Sequence, residues 1–306
     1  MYEYDLFGNR FEMLQSVVNV ASVQQLSPFR YPGGKTWLIP QINKWMRSLN
    51  FTPEVFIEPF AGGGIVSLTI ANENLADHII MVEIDDEIAA VWKTIFYGDI
   101  DWFINRILSF DMTIENVNKI LSVNNISDEE KAFRTIIKNR TFHGGILAKG
   151  SGLIKYGENG KGINSRWYPK TLAKRINHIK HFRNKITFIQ ADGMEIIRDN
   201  LNTKGIFFFD PPYTAGGKRA GNRLYNHHKL DHKLLFSLCD NINHFLMTYD
   251  ISHEIEMLAK KYDFEIKEIP MKNTHNMEMK EYIISKNLEW ITEFTVSAFP
   301  AVAYLR

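Results

Sequence analysis

The sequence predicts an α/β fold: a doubly wound, mostly parallel, Rossmann-like sheet of seven strands with a mainly helical segment inserted into it. Three observations predict it. First, Val55-Phe56-Ile57-Glu58, a glycine loop at Gly62-Gly63-Gly64, an apolar helix over 65–71 and a strand over 79–83 ending in Glu83 form a strand, turn, helix and strand with a terminal acid. Second, Ile206-Phe207-Phe208-Phe209 reads as a strand buried on both faces, stopped abruptly by Asp210-Pro211-Pro212-Tyr213. Third, short apolar runs at 186–190, 245–250, 264–269 and 282–285 bring the strand count to seven, the last two as an antiparallel hairpin.

The ends of the chain and its middle complete the plan. Residues 1–26 show no clear periodicity and read as an N-terminal extension with one short helix. Pro28-Phe29-Arg30-Tyr31-Pro32-Gly33-Gly34-Lys35 is a tight turn, after which Trp37, Leu38, Ile42, Trp45, Met46 and Leu49 recur at helical spacing. Residues 97–140 are helical in pattern, and Asp128-Glu129-Glu130 suits the positive end of the last helix there. Residues 142–166 are glycine-rich and read as a basic hairpin or loop, and Pro169 opens a basic helix. The boundaries drawn are 1–26, 27–97, 98–185 and 186–306.

Composition narrows the class. The chain has 306 residues, 45% of them hydrophobic, and no run approaches eighteen apolar residues, so no membrane partner is expected. The N-terminus lacks the pattern of a signal peptide, and Cys239 is the single cysteine, which excludes a disulfide framework and fits a cytoplasmic protein. His227, His228, His232 and His275 lack the spacing of a metal centre, and no metal is expected. The net charge of +1 conceals an asymmetry: residues 138–185 hold twelve Lys or Arg against one acid, Glu158, so the rest of the chain is acidic. Such a block is the footprint of a polyanion-binding surface. Its candidate nucleic-acid-binding residues are Arg140, Lys149, Lys155, Lys161 and Arg166, joined by Lys218, Arg219 and Arg223 in the loop after Tyr213.

The chemistry is read from the strand ends. In open α/β sheets ligands sit at the carboxyl ends of the strands, so acids placed there face a ligand. Glycines let the backbone approach it, and Glu83 can accept from both ribose hydroxyls. Ser67 stands where a dinucleotide fingerprint has its third glycine, which favours a nucleoside without phosphates, such as S-adenosylmethionine, over NAD. The two prolines after Asp210 hold the backbone rigid beside the Tyr213 ring, an arrangement suited to a planar amine.

With these motifs in place, the chain resembles the Dam-type DNA adenine-N6 methyltransferases, of the alpha motif order, from about Pro28 to Lys286. The resemblance implies the seven-stranded methyltransferase sheet and S-adenosylmethionine as cofactor. Tyr31 and Lys35 match the family's N-terminal cofactor motif, and Glu58-Pro59-Phe60-Ala61-Gly62-Gly63-Gly64 its glycine-rich motif, giving Pro59, Phe60, Gly62 and Gly64 as cofactor-binding positions. Glu83 falls where the family usually has an aspartate for the ribose, with Asp85 as the alternative, and Asp192 matches an acid that contacts the cofactor adenine. Asp210, Pro211, Pro212 and Tyr213 match the catalytic motif. The family's target-recognition domain lies where the basic block lies, at 98–185. The activity implied is that of a site-specific enzyme that methylates the N6 amine of an adenine flipped out of double-stranded DNA, alone or beside a cognate restriction endonuclease. An RNA or protein-glutamine methyltransferase, an NAD oxidoreductase and a DNA-binding module without activity are the competing readings. Asp210 in place of asparagine, Ser67 and the intact 210–213 motif weigh against them in turn.

Overall fold

In the computed structural model, the structure describes residues 2–4, 10–12, 18–31, 33–148, 150–157, 160–213, 230–272 and 278–291. Two short antiparallel strands, β1 (Tyr2–Tyr4) and β2 (Arg10–Glu12), stand in the N-terminal extension. Strands of three residues are too short to show a period, so the sequence carries no signal for them. A single 3-10 turn, Val20–Ser22, follows.

The main sheet has seven strands: β3 (Val55–Glu58), β4 (His78–Val82), β5 (Ile186–Ile189), β6 (Ile206–Phe209), β7 (Phe245–Asp250), β8 (Glu265–Lys272) and β9 (Glu278–Ser285). Their order is β5-β4-β3-β6-β7-β9-β8. The first five are parallel, while β9 pairs antiparallel with both β7 and β8. The chain runs outward from β3 to β5 and then returns to the other side of β3 as β6, so β3 and β6 form the topological switch point.

Among the described residues the helices are α1 (Ile39–Ser48), α2 (Ile65–Asn72), α3 (Asp86–Phe96), α4 (Ile100–Leu108), α5 (Ile114–Ser122), α6 (Asp128–Thr141), α7 (Pro169–Ile179), α8 (Gly193–Asp199), α9 (His232–Cys239) and α10 (His253–Lys261). Alternate strand residues feed opposite cores, as the two-residue period requires. Phe56, Phe208 and Leu246 point to the face covered by α1 to α3, and Ile57, Phe207, Phe209 and Met247 to the face covered by α8 to α10. Each of the fully buried phenyl groups of β6 contributes about 1.5–3 kcal/mol of transfer free energy. Among the described residues, helices α4 to α7 do not build a core of their own. Phe103 and Ile107 of α4, Phe133 and Ile136 of α6 and Leu172 and Ile176 of α7 join the first core, so the insert is fixed to the sheet's helical layer.

Candidate active site

The glycine loop sits where the sequence places it, at the carboxyl end of β3. Gly62 and Gly64 have φ of 48° and 65°, in the left-handed region that favours glycine. A Cβ on Gly62 would lie 2.6 Å from the Tyr31 ring, and one on Gly64 would lie 2.6 Å from the Met81 side chain. Tyr31 thus lies directly on the loop, and Trp92 Nε1 fixes it from below by donating to the Gly62 carbonyl at 2.9 Å. Gly193 packs against the Pro59 carbonyl and the half-buried Phe60 ring, so Pro59, Phe60 and Asp192 share one edge of the crevice. Asp192 caps α8, accepting from the Met194 N–H at 2.8 Å.

Three acids line the adjoining strand ends. Glu83 Oε2 accepts from the Gly62 N–H at 2.9 Å and Oε1 from the Asp85 N–H at 2.7 Å, so one side chain ties the glycine loop to the start of α3. Asp85 caps α3 through the Glu87 and Ile88 N–H groups. Ser67, seen in the sequence only as a missing glycine, donates its N–H at 2.8 Å and its hydroxyl to Glu58 Oε2. Burial raises the pKa of Glu58 to about 8, against the hydrogen bonds from Ser67, and that of Glu83 to about 7, against its backbone hydrogen bonds.

Both carboxyls therefore bind protons more tightly in the native state than in the unfolded chain. Their stabilising contribution is complete below the ordinary value of 4.5 and drains away as pH rises through about 7 to 8. The melting temperature of the unliganded protein is expected to fall by at least about 3 °C between about pH 5.5 and 8.5. Glu58→Gln should flatten that fall, and thermal melts across this range check it; an unchanged slope would mean that Glu58 is ionised in the native state.

At the switch point, Asp210 follows β6 and its side chain is 22% exposed. One carboxylate oxygen, Oδ1, takes three donors: Lys35 Nζ at 2.9 Å, the Tyr213 hydroxyl at 2.8 Å and Thr248 Oγ1 at 2.8 Å. Oδ2 accepts from none of the described residues. Lys35, buried at 3% exposure, also donates to the Gly33 carbonyl at 2.8 Å and stands 3.5 Å from Glu281 Oε2. The Tyr213 hydroxyl lies 3.0 Å from the same Glu281 oxygen, and the Lys35 ammonium is 5.0 Å from the Tyr213 ring centroid. The structure thus brings Lys35 to the Asp210 carboxylate, whereas the sequence associates it with the cofactor. Glu281 and Thr248 carry no motif, and only the topology of β7 and β9 reveals them. Pro211 is buried and Pro212 half-buried, which holds the turn in place.

The basic block divides. Arg140 does not stand on an open face: it is 5% exposed and its guanidinium donates to the Pro28 carbonyl, with burial lowering its pKa to about 9. Arg175 likewise donates to the Ser27 carbonyl at 3.2 Å, and Asn139 clasps Arg30 by accepting from its N–H at 2.9 Å and donating to its carbonyl at 3.0 Å. Helices α6 and α7 therefore grip the segment that carries Tyr31. Lys138 and Lys180 pair with Glu87 and Asp101. Arg166 is half-buried, with one guanidinium nitrogen 3.5 Å from the Phe142 carbonyl. Lys155, Lys161, Lys170 and Lys174 are exposed, and Tyr156 among them is 82% exposed. Lys149, Lys218, Arg219 and Arg223 lie outside the described residues. Among the described residues no cluster of His, Cys, Asp or Glu could hold a metal ion, and no helix is long and apolar enough to cross a membrane.

A doubly wound sheet with a glycine loop and acids at its strand ends, and Asp-Pro-Pro-Tyr at its switch point, defines a Rossmann-like methyltransferase. Residues 31–281 match the family described as D12 class N6 adenine-specific DNA methyltransferase, and the chain belongs to that family. It is an adenine-specific DNA methyltransferase. Among characterised relatives it is similar to the type II methyltransferase M.MjaIII of Methanocaldococcus jannaschii, with 23% identity over 78% of this chain and 92% of that protein. Among solved structures it is similar to PH1948 of Pyrococcus horikoshii, whose assignment as an RNA methyltransferase is provisional, at 11% identity, 87% and 92% coverage and a TM-score of 0.40. A SAM-dependent methyltransferase of Agrobacterium tumefaciens matches at 9% identity, over 81% of this chain and 60% of its own, with a TM-score of 0.36.

Proposed function

We propose that the chain methylates a flipped-out adenine with S-adenosylmethionine held at the carboxyl ends of β3, β4 and β5, and that Asp210 is the catalytic acceptor for the substrate amine. The observation that carries this reading is the asymmetry of Asp210: Oδ1 is held by three donors, whereas Oδ2 accepts from none of the described residues. An exocyclic adenine amine is a weak nucleophile because its lone pair is conjugated with the ring. Asp210 Oδ2 accepts one amine hydrogen and the Pro211 carbonyl the other, which draws the nitrogen toward a tetrahedral shape and frees the lone pair. Tyr213 supplies an aromatic wall against which the base stacks once it has left the duplex.

The chemistry of the crevice fits the cofactor. A backbone that glycines leave open beside hydrogen-bonding acids suits a nucleoside without phosphates, and we assign the ribose to Glu83. When bound, S-adenosylmethionine supplies an activated methyl group on sulfur. Titration calorimetry with a chelator present should still show S-adenosylmethionine binding, with Glu83→Ala weakening it more than Asp85→Ala, because Glu83 also anchors the Gly62 N–H. The reverse order would move the ribose to Asp85, and loss of binding with the chelator would require a metal.

Residues 98–185 serve as the target-recognition domain on double-stranded DNA, and the exposed Lys155, Lys161, Lys170 and Lys174 supply its phosphate contacts. Arg140 acts from inside, by holding the 27–31 segment. A cation that neutralises one phosphate accounts for about 0.9 of the salt slope of binding to duplex DNA. Replacing the four lysines by alanine should therefore flatten a plot of log affinity against log salt by about 3.6. An unchanged slope would place the duplex on another face. A cytoplasmic protein paired with a restriction endonuclease of the same specificity fits the likeness to a type II methyltransferase.

A further inference from the structure

We propose that Glu281 is a positioning residue for methyl transfer: by sharing Lys35 and the Tyr213 hydroxyl with Asp210 Oδ1, it holds both groups on that side of the carboxylate and leaves Oδ2 to the substrate amine. The proposal rests on the reading of Asp210 as the amine acceptor.

Glu281 lies on β9, paired with Asp250 of β7 on one side and Ile269 of β8 on the other. It is 7% exposed and is followed by Tyr282, Ile283 and Ile284, all buried. A carboxylate in such a strand is costly unless paired, and its partners here are the two groups that also hold Asp210. Oε2 stands 3.0 Å from the Tyr213 hydroxyl and 3.5 Å from Lys35 Nζ. The charged and titratable groups around it are Lys35, Asp210, Tyr213 and Asp250, and burial raises its pKa while Lys35 opposes that rise.

The consequence is geometric. A lysine held by the Gly33 carbonyl can still turn its other donors across both oxygens of a single carboxylate, since an ammonium is a point charge with rotatable donors. Such a swing would cover Oδ2 and compete with the amine for it. Glu281 attracts the same ammonium from the side of Oδ1, and the Tyr213 phenol bridges the two carboxyls with a single proton. Lys35 is thereby shared between two acids besides the Gly33 carbonyl, and among the described residues Asp210 keeps one oxygen uncommitted. Glu281 has no contact with the amine in this arrangement and acts only through Lys35 and Tyr213.

The test compares wild-type protein with Glu281→Gln, which keeps the size and removes the charge, and with Tyr213→Phe, which keeps the ring and cuts the bridge. Single-turnover methylation of a duplex substrate, S-adenosylmethionine affinity, thermal melts and the titration of the Tyr213 phenol by 13C-tyrosine NMR are measured for each. Glu281→Gln is expected to slow methyl transfer about 10- to 100-fold while cofactor affinity stays within about threefold. The Tyr213 phenol should titrate at lower pH in that variant, because a neighbouring negative charge is gone. Tyr213→Phe should also be slower, and combining the two should cost less than the product of the single effects. A stable Glu281→Gln with the wild-type rate, or a rate loss matched by equal losses of cofactor affinity and melting temperature, would overturn the role of Glu281. Should Glu281→Gln fail to fold, Tyr213→Phe at the wild-type rate would do the same. In each of these cases an inactive Asp210→Ala in the same assay leaves the reading of Asp210 standing, whereas an active Asp210→Ala overturns both.

Discussion

Asp210→Ala is expected to abolish methyl transfer, by about a thousandfold or more, while S-adenosylmethionine binding and the folded state remain nearly intact. The carboxylate acts on the amine in the transition state, so its loss should appear in the chemical step and not in cofactor affinity. Lys35 retains Glu281 at 3.5 Å in this variant, which is why the melting temperature should move by no more than about 4 °C. A structural role predicts another pattern. If Asp210 only closes the strand end, with Thr248, Tyr213 and Lys35 as its partners, activity and melting temperature should fall together. Asp210→Asn, which still offers Oδ1 as an acceptor, should then restore both. Single-turnover methylation beside a thermal melt separates the two.

Lys35→Met should produce the second large effect. The ammonium is buried between Asp210 and Glu281, and removing it leaves two carboxylates facing each other around the Tyr213 hydroxyl. Breaking a buried pair from one side costs about 3–5 kcal/mol of stability, and Glu281 loses the cation that offsets its burial. Methyl transfer at saturating cofactor should fall at least about a hundredfold, because Oδ1 loses its charged donor and, held only by the Tyr213 and Thr248 hydroxyls, leaves Asp210 freer to turn. If Lys35 served mainly as a cofactor ligand, the dissociation constant for S-adenosylmethionine would rise instead, and the rate at saturation would survive. Calorimetry and single-turnover kinetics on the same preparation tell these apart.

The strands are legible because each carries its own local signal. Ile206 to Phe209 is apolar at every position and lies in the middle of the sheet, and Val55 to Glu58 ends in the acid that Ser67 holds. Arg140 is legible in principle. Phe133, Ile136, Ile137 and Arg140 recur at helical spacing on one face, so the guanidinium has to follow the apolar residues inward. A charge count that ignores which face carries each residue places Arg140 on the surface. The destination of Lys35 cannot be read from spacing. The residue lies in a turn near a glycine pair, which suggests a ligand, and only the return of the chain to β6 brings Asp210 to it. Glu281 is less legible still: β9 enters between β7 and β8 against the sheet's direction, and no spacing in the sequence shows that this edge reaches the Asp-Pro-Pro-Tyr turn.

The most direct test of the central claim is the chemical fate of the methyl group. Purified wild-type protein and Asp210→Ala are incubated side by side with duplex DNA and S-adenosylmethionine labelled in its methyl group. The DNA is then digested to nucleosides and the label located. The account predicts that label from the wild-type reaction appears in N6-methyladenine and that the variant, folded and still binding cofactor, transfers none above background. Label in a cytosine or on protein, or N6-methyladenine formed by Asp210→Ala at the wild-type rate, would contradict it.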